Sequence, residues 1–121
     1  MNLVPQNATV TDREISLKRL GGDEKLLATL AGFFLEDAPG LMQQLNDAHH
    51  SNDWKIVAHR AHSLKGLSAT FEAIPFREMA GEIEGYANSA DRFHVDEKMP
   101  LLRVEFERLV EALQSIAHPV H

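Results

Sequence analysis

The sequence predicts an all-α fold, an antiparallel four-helix bundle with a short extra helix at its N-terminal end. Three observations predict it. Apolar residues recur at helical spacing in four long stretches. Three of these stretches, and the short one before them, begin at punctuation suited to a helix start, an aspartate or a proline. No run alternates with period two, and valine and isoleucine are scattered along the chain. With 121 residues, 44% hydrophobic and 25% charged, the chain is long and apolar enough to bury one core without disulfides or metal.

Residues 1–11 are polar and aperiodic and read as a flexible N-terminal arm. Asp12 caps a short helix, "REISLKRL", which Gly21 and Gly22 end. Asp23 caps the next stretch, where Leu26, Leu27, Leu30, Phe33, Phe34, Ala38, Leu41, Met42, Leu45 and Ala48 keep a helical period to about His50. Pro39 inside it predicts a kink or short break near residues 36–39. Asp53 caps a helix starting at Trp54, with Val57, Ala61, Leu64, Ser68 and Phe71 on its core side, and this helix should stop near "EAIP". Pro75 opens a further helix with Phe76, Met79, Ala80, Ile83 and Ala87 on one face. The seam Val95, Met99, Leu102, Phe106, Leu109, Leu113, Ile116 marks the last helix, whose first turn Pro100 makes uncertain. The bundle is expected over residues 12–117, with a tail at 118–121.

Eighteen acidic against twelve basic side chains give a net charge of -6, with no basic stripe, which argues against nucleic acid and anionic membrane as partners. The chain has no cysteine, so thiol catalysis and cysteine-ligated zinc are excluded. No apolar run reaches membrane-spanning length and the first residues lack a signal-peptide pattern, so a cytoplasmic protein is expected.

One segment carries chemistry. In "AHRAHSLKGLSATFEA", a rotation of about 100° per residue turns His62 away from the core side, beside His59, Lys65, Gly66 and Ala69. Gly66 and Ala69 leave little bulk next to the imidazole. Glycine in a helix interior costs roughly 0.5–1 kcal/mol against alanine, which suggests that close approach by another backbone is the compensating gain. An exposed imidazole is largely neutral near neutral pH and can act as a nucleophile, and a phosphoryl group on it would find the Lys65 cation at i+3. No nucleotide loop or magnesium-holding acidic cluster is present, so the donor must bring the phosphate. No serine-histidine-acid or paired-carboxylate constellation supports a hydrolase. A metal site on His59 and His62 lacks a third ligand, since the nearest acid along the chain, Glu72, is some three turns from His59.

These residues resemble a known family. "AHSLKG" is similar to the H-x-L-K-G core of the histidine-containing phosphotransfer (HPt) family of phosphorelay signalling, and "LKRLGGDEKLLATLAGFFLEDAPGLMQQL", "NDWKIVAHRAHSLKG" and "FREMAGEIE" resemble its flanking helices, together covering about residues 13–115. The resemblance implies that His62 is the phosphoacceptor, Lys65 the phosphate-neutralising neighbour and Gly66 the gap that admits a partner. It implies response-regulator receiver domains as the partners, with a hybrid sensor kinase as a further candidate. The chain would then be a monomeric phosphoryl carrier without turnover or cofactor of its own, the magnesium belonging to the receiver. His59 and Ala69 would lie on the docking rim. Family members commonly carry a glycine ten positions after the histidine; here that position is Glu72, expected on the docking flank, while Leu67 is expected toward the buried side. A bundle that binds receivers without accepting phosphate, and a histidine-metal bundle, are the other readings.

Overall fold

The computed structural model describes residues 10–119; most of the expected arm, residues 1–9, and the end of the tail, residues 120–121, lie outside the described residues. Five helices run in order: α1 Arg13–Arg19, α2 Glu24–His50, α3 Trp54–Ala69, α4 Ile74–Asn88 and α5 Arg92–Ala117. No strand occurs among the described residues. Helix α2 packs on α3, α3 on α4, α4 on α5 and α5 back on α2, while α1 leans on α2. This closed ring is the packing expected of a four-helix bundle with a short extra helix. Links of three or four residues join the long helices, so ring neighbours run in opposite directions. Across α2 and α5, His49 meets Asp96 and Asn46 meets Arg103, a register that falls on one helix as it rises on the other.

Local chemistry sets the helix starts. The side chains of Asp12, Asp23, Asp53 and Asp91 each accept a hydrogen bond from the backbone N–H three residues on, satisfying a donor that has no partner within the helix. Asp53→Ala is expected to lower stability by about 1 kcal/mol, read as a fall of roughly 4 °C in thermal midpoint. Gly21 and Gly22 have φ of +68° and +81°, the left-handed conformation that stops α1.

The stripes meet inside the ring. Leu27, Phe34, Leu45, Val57, Leu64, Phe76, Ile83, Leu102, Leu109 and Leu113 are buried, with Phe71 packed edge-on against Phe34. Helix α2 runs unbroken through Pro39, so of the kink or short break expected there the break does not occur. Buried Ala31, Phe34, Ala38 and Met42 hold the turns on both sides of the exposed proline, and one missing hydrogen bond does not outweigh that packing. Pro100 likewise sits inside α5 on its exposed side, and the seam from Val95 to Leu113 is continuous.

The turn after α3 departs from the sequence reading. Helix α3 ends at Ala69, three residues short of "EAIP", so a helical projection no longer places Glu72. Glu72 has φ +50°, in the region that favours glycine. That is the position where the resembled family commonly has one. Its side chain is only 7% exposed and its carboxylate forms an ion pair with Arg19 of α1. The expectation that Glu72 faces a docking partner is therefore corrected: it ties α1 to the α3–α4 turn. The Asp12 N–H also donates to the Phe71 carbonyl at 3.1 Å, and Val10 packs on the core, so the chain just before α1 also rests on the bundle.

Candidate functional site

Helix α3 turns Val57, Ala61, Leu64 and Ser68 into the core, which directs His59, His62 and Gly66 to solvent. The His62 side chain is 65% exposed. Across from it, α4 buries Ala80, Ile83 and Ala87, leaving Gly81 and Glu84 on the flank that faces α3. The antiparallel register sets Gly81 beside Lys65 and therefore Glu84, one turn further along α4, beside His62. A Cβ built on Gly81 would lie 3.5 Å from Lys65 Cδ, an ordinary contact, so the lysine stem runs over α4 at this point.

Glu84 joins the site's two expected chemical groups. Its Oε2 is 2.9 Å from His62 Nδ1 and its Oε1 accepts from Lys65 Nζ at 2.8 Å. The hydrogen-bonded Lys65 ammonium holds the Glu84 carboxyl below the usual carboxylate range, helped by the His62 ring and opposed by partial burial. An ionised carboxylate only accepts, so in the neutral His62 ring the hydrogen sits on Nδ1 and the lone pair on Nε2. Because the folded-state value lies below that of the unfolded chain, this pairing stabilises the fold above the ordinary glutamate range and is lost as pH falls through the depressed value. Denaturant melts from pH 7 to pH 3 are expected to show a shallower acid-side loss of stability in Glu84→Gln than in the parent.

The other expected site residues are placed as follows. His59 is exposed one turn before His62, and its Nδ1 lies 2.8 Å from Arg60 Nη1. Both imidazoles line a surface cavity of about 540 Å³ with Ile56, Ala58, Glu84 and Asn88. A Cβ on Gly66 would meet nothing within 4 Å, so no packing inside the chain demands glycine there. Ala69 is half-buried. Leu67, expected toward the core, is 37% exposed and lines a second groove of about 330 Å³ with Leu30, Phe33, Asp37, Gly66 and Thr70. Its neighbours Leu64 and Ser68 define the buried edge, and Leu67 falls just outside it. Glu72, ion-paired to Arg19 of α1, lies away from this surface.

Sequence reasoning missed Glu84 altogether. Its signal was the phase of α4, where Gly81, Glu84 and Asn88 recur at spacings of three and four beside the Ala80–Ile83–Ala87 stripe. Among the described residues, no three His, Asp or Glu side chains come together as a metal site would need, and no helix is long and apolar enough to cross a membrane.

Comparison with known proteins agrees with this fold. Residues 29–118 match the family model of the Hpt domain. Among solved structures, the chain resembles histidine-containing phosphotransfer protein B (HptB) from Pseudomonas aeruginosa PAO1, with a TM-score of 0.83 and 19% identity, covering 94% of this chain and 99% of that one. At that identity the likeness establishes a shared fold. No curated protein sequence matches the chain. The family match spans most of the chain, from α2 to the end of α5, and so the protein belongs to the Hpt domain family, the phosphocarrier modules of phosphorelays.

Proposed function

We propose that this chain carries a phosphoryl group on Nε2 of His62, taking it from the phospho-aspartate of one receiver domain and passing it to another. The observation that carries the reading is the Glu84 bridge, which fixes the imidazole with its lone pair outward while holding a cation at i+3. In the forward step the Nε2 lone pair forms the N–P bond as the aspartyl O–P bond breaks, and the aspartate leaves as a carboxylate. The ring gains positive charge, its hydrogen stays on Nδ1 and is donated to Glu84 Oε2, and that carboxylate stabilises the charge where it develops. The same charge keeps the ring a good leaving group, so the phosphoryl group can move on. Lys65 is close enough to exchange its Glu84 contact for a phosphoryl oxygen. Magnesium and the remaining catalytic groups are assigned to the receiver.

Docking is assigned to the face around His62. Gly66 offers open space, and Phe33, 55% exposed, and Leu67 supply an apolar rim beside it, suited to the apolar part of a receiver surface. The reading is tested by incubating the chain with a panel of phosphorylated receiver domains. Acid-labile, alkali-stable label mapped to His62 is expected with at least one receiver. Binding without label would select a non-transferring adaptor, and neither binding nor label with any receiver would overturn the reading.

A further inference from the structure

His59 and His62 sit three residues apart on one exposed face, yet their hydrogen-bond partners give them opposite tautomers. A guanidinium has donors and no acceptor, so the contact from Arg60 Nη1 to His59 Nδ1 at 2.8 Å requires a lone pair on that nitrogen. The neutral His59 ring then carries its hydrogen on Nε2. His62 is the reverse, with its hydrogen on Nδ1 against Glu84 and its lone pair on Nε2. One ring thus presents a nucleophile to the shared cavity and the other presents a donor. Neither can exchange roles without losing its partner.

We propose that His59 is a second hydrogen-bond donor to the phosphoryl group carried on His62, with Arg60 as the positioning residue that sets its tautomer. The Cβ atoms of residues at i and i+3 on a helix are about 5–6 Å apart, a separation that a phosphoryl group bonded to one ring and accepting from the other can span. Lys65 lies at i+3 from His62 and His59 at i−3, so the phosphoryl oxygens would meet a donor on each side along the helix. The Lys65 cation is shared with Glu84, whereas the His59 Nε2–H has no such competitor in the hydrogen bonds described. His59 makes no bond to phosphorus, and its contribution is to the lifetime of the phosphorylated state. This rests on the reading of His62 as phosphoacceptor.

The test uses potassium phosphoramidate, a small donor that phosphorylates accessible imidazoles without a receiver. The phospho-His62 resonance is identified in phosphorus NMR by its absence from His62→Gln, and its decay at neutral pH is followed once the donor is removed. His59→Phe, which keeps a ring and has no donor, is expected to shorten the half-life about threefold or more. His59→Gln, whose amide supplies a donor at similar reach, is expected to stay near the parent value. Both residues are exposed, and unchanged melting temperatures check the fold. A parent-like half-life in His59→Phe, or an equal loss in His59→Gln, would overturn the proposal. If phosphoramidate labels His62 while no receiver does, the phosphorelay reading fails and the His59 inference is still decided by the half-lives.

Discussion

Replacing His62 by glutamine is expected to reduce phosphoryl acceptance from any receiver to background while leaving the fold intact. Glutamine has no nitrogen lone pair able to form a stable N–P bond, and no other imidazole on this helix presents one. His59 is set to donate instead. The lost side chain is 65% exposed and contributes one hydrogen bond to Glu84, so the stability change should stay within about 1 kcal/mol. Glu84→Ala separates chemistry from docking more finely. It leaves the nucleophile in place but frees the ring to adopt either tautomer and removes the carboxylate that faces the developing charge. Single-turnover transfer should slow by about 10- to 100-fold, by analogy with the loss of carboxylates that orient histidine ligands. Receiver Kd should change little, because Glu84 is partly covered by Lys65 and His62. Equal transfer rates in Glu84→Ala and the parent would remove Glu84 from the mechanism, and a large rise in Kd would make it a docking residue.

The contrast between His62 and Glu84 shows what this sequence discloses and what it withholds. His62, Lys65 and Gly66 lie within five residues on one helix, so a local spacing rule brings them to one face. The aspartate caps and the α5 seam were legible for the same reason: each depends on residues three or four apart. Glu84 is 22 residues from His62, and it reaches the site only through the register of α3 on α4. No periodicity within a single helix encodes that register. Glu72 failed in the opposite way. A helical projection does not reach it, because α3 stops at Ala69 and Glu72 sits on a left-handed turn, ion-paired to α1. Leu67 and Pro39 are boundary cases, in which packing of neighbouring turns decides what propensity alone leaves open.

Gly66 is where local cost and partner binding should pull in opposite directions. Its Cβ would point into open space, so Gly66→Ala should stabilise the free protein by about 0.5–1 kcal/mol through helix propensity, read as a higher melting temperature. A chain optimised for its own stability would not keep glycine there. If the position is clearance for a docking receiver, Gly66→Leu should leave the fold sound and weaken receiver binding by about tenfold or more, equivalent to about 1.4 kcal/mol. The added side chain would stand beside Leu67 and Phe33, enlarging the apolar rim while filling the notch that a partner backbone must enter. Labelling by phosphoramidate separates the two effects, because a small donor does not need the notch. The expected pattern is parent-like labelling of His62 by phosphoramidate together with loss of receiver-dependent transfer that higher receiver concentration restores. Receiver binding in Gly66→Leu as tight as in the parent would mean that the open space at Gly66 is not part of the interface, and docking would then have to be sought on the His59 side of His62.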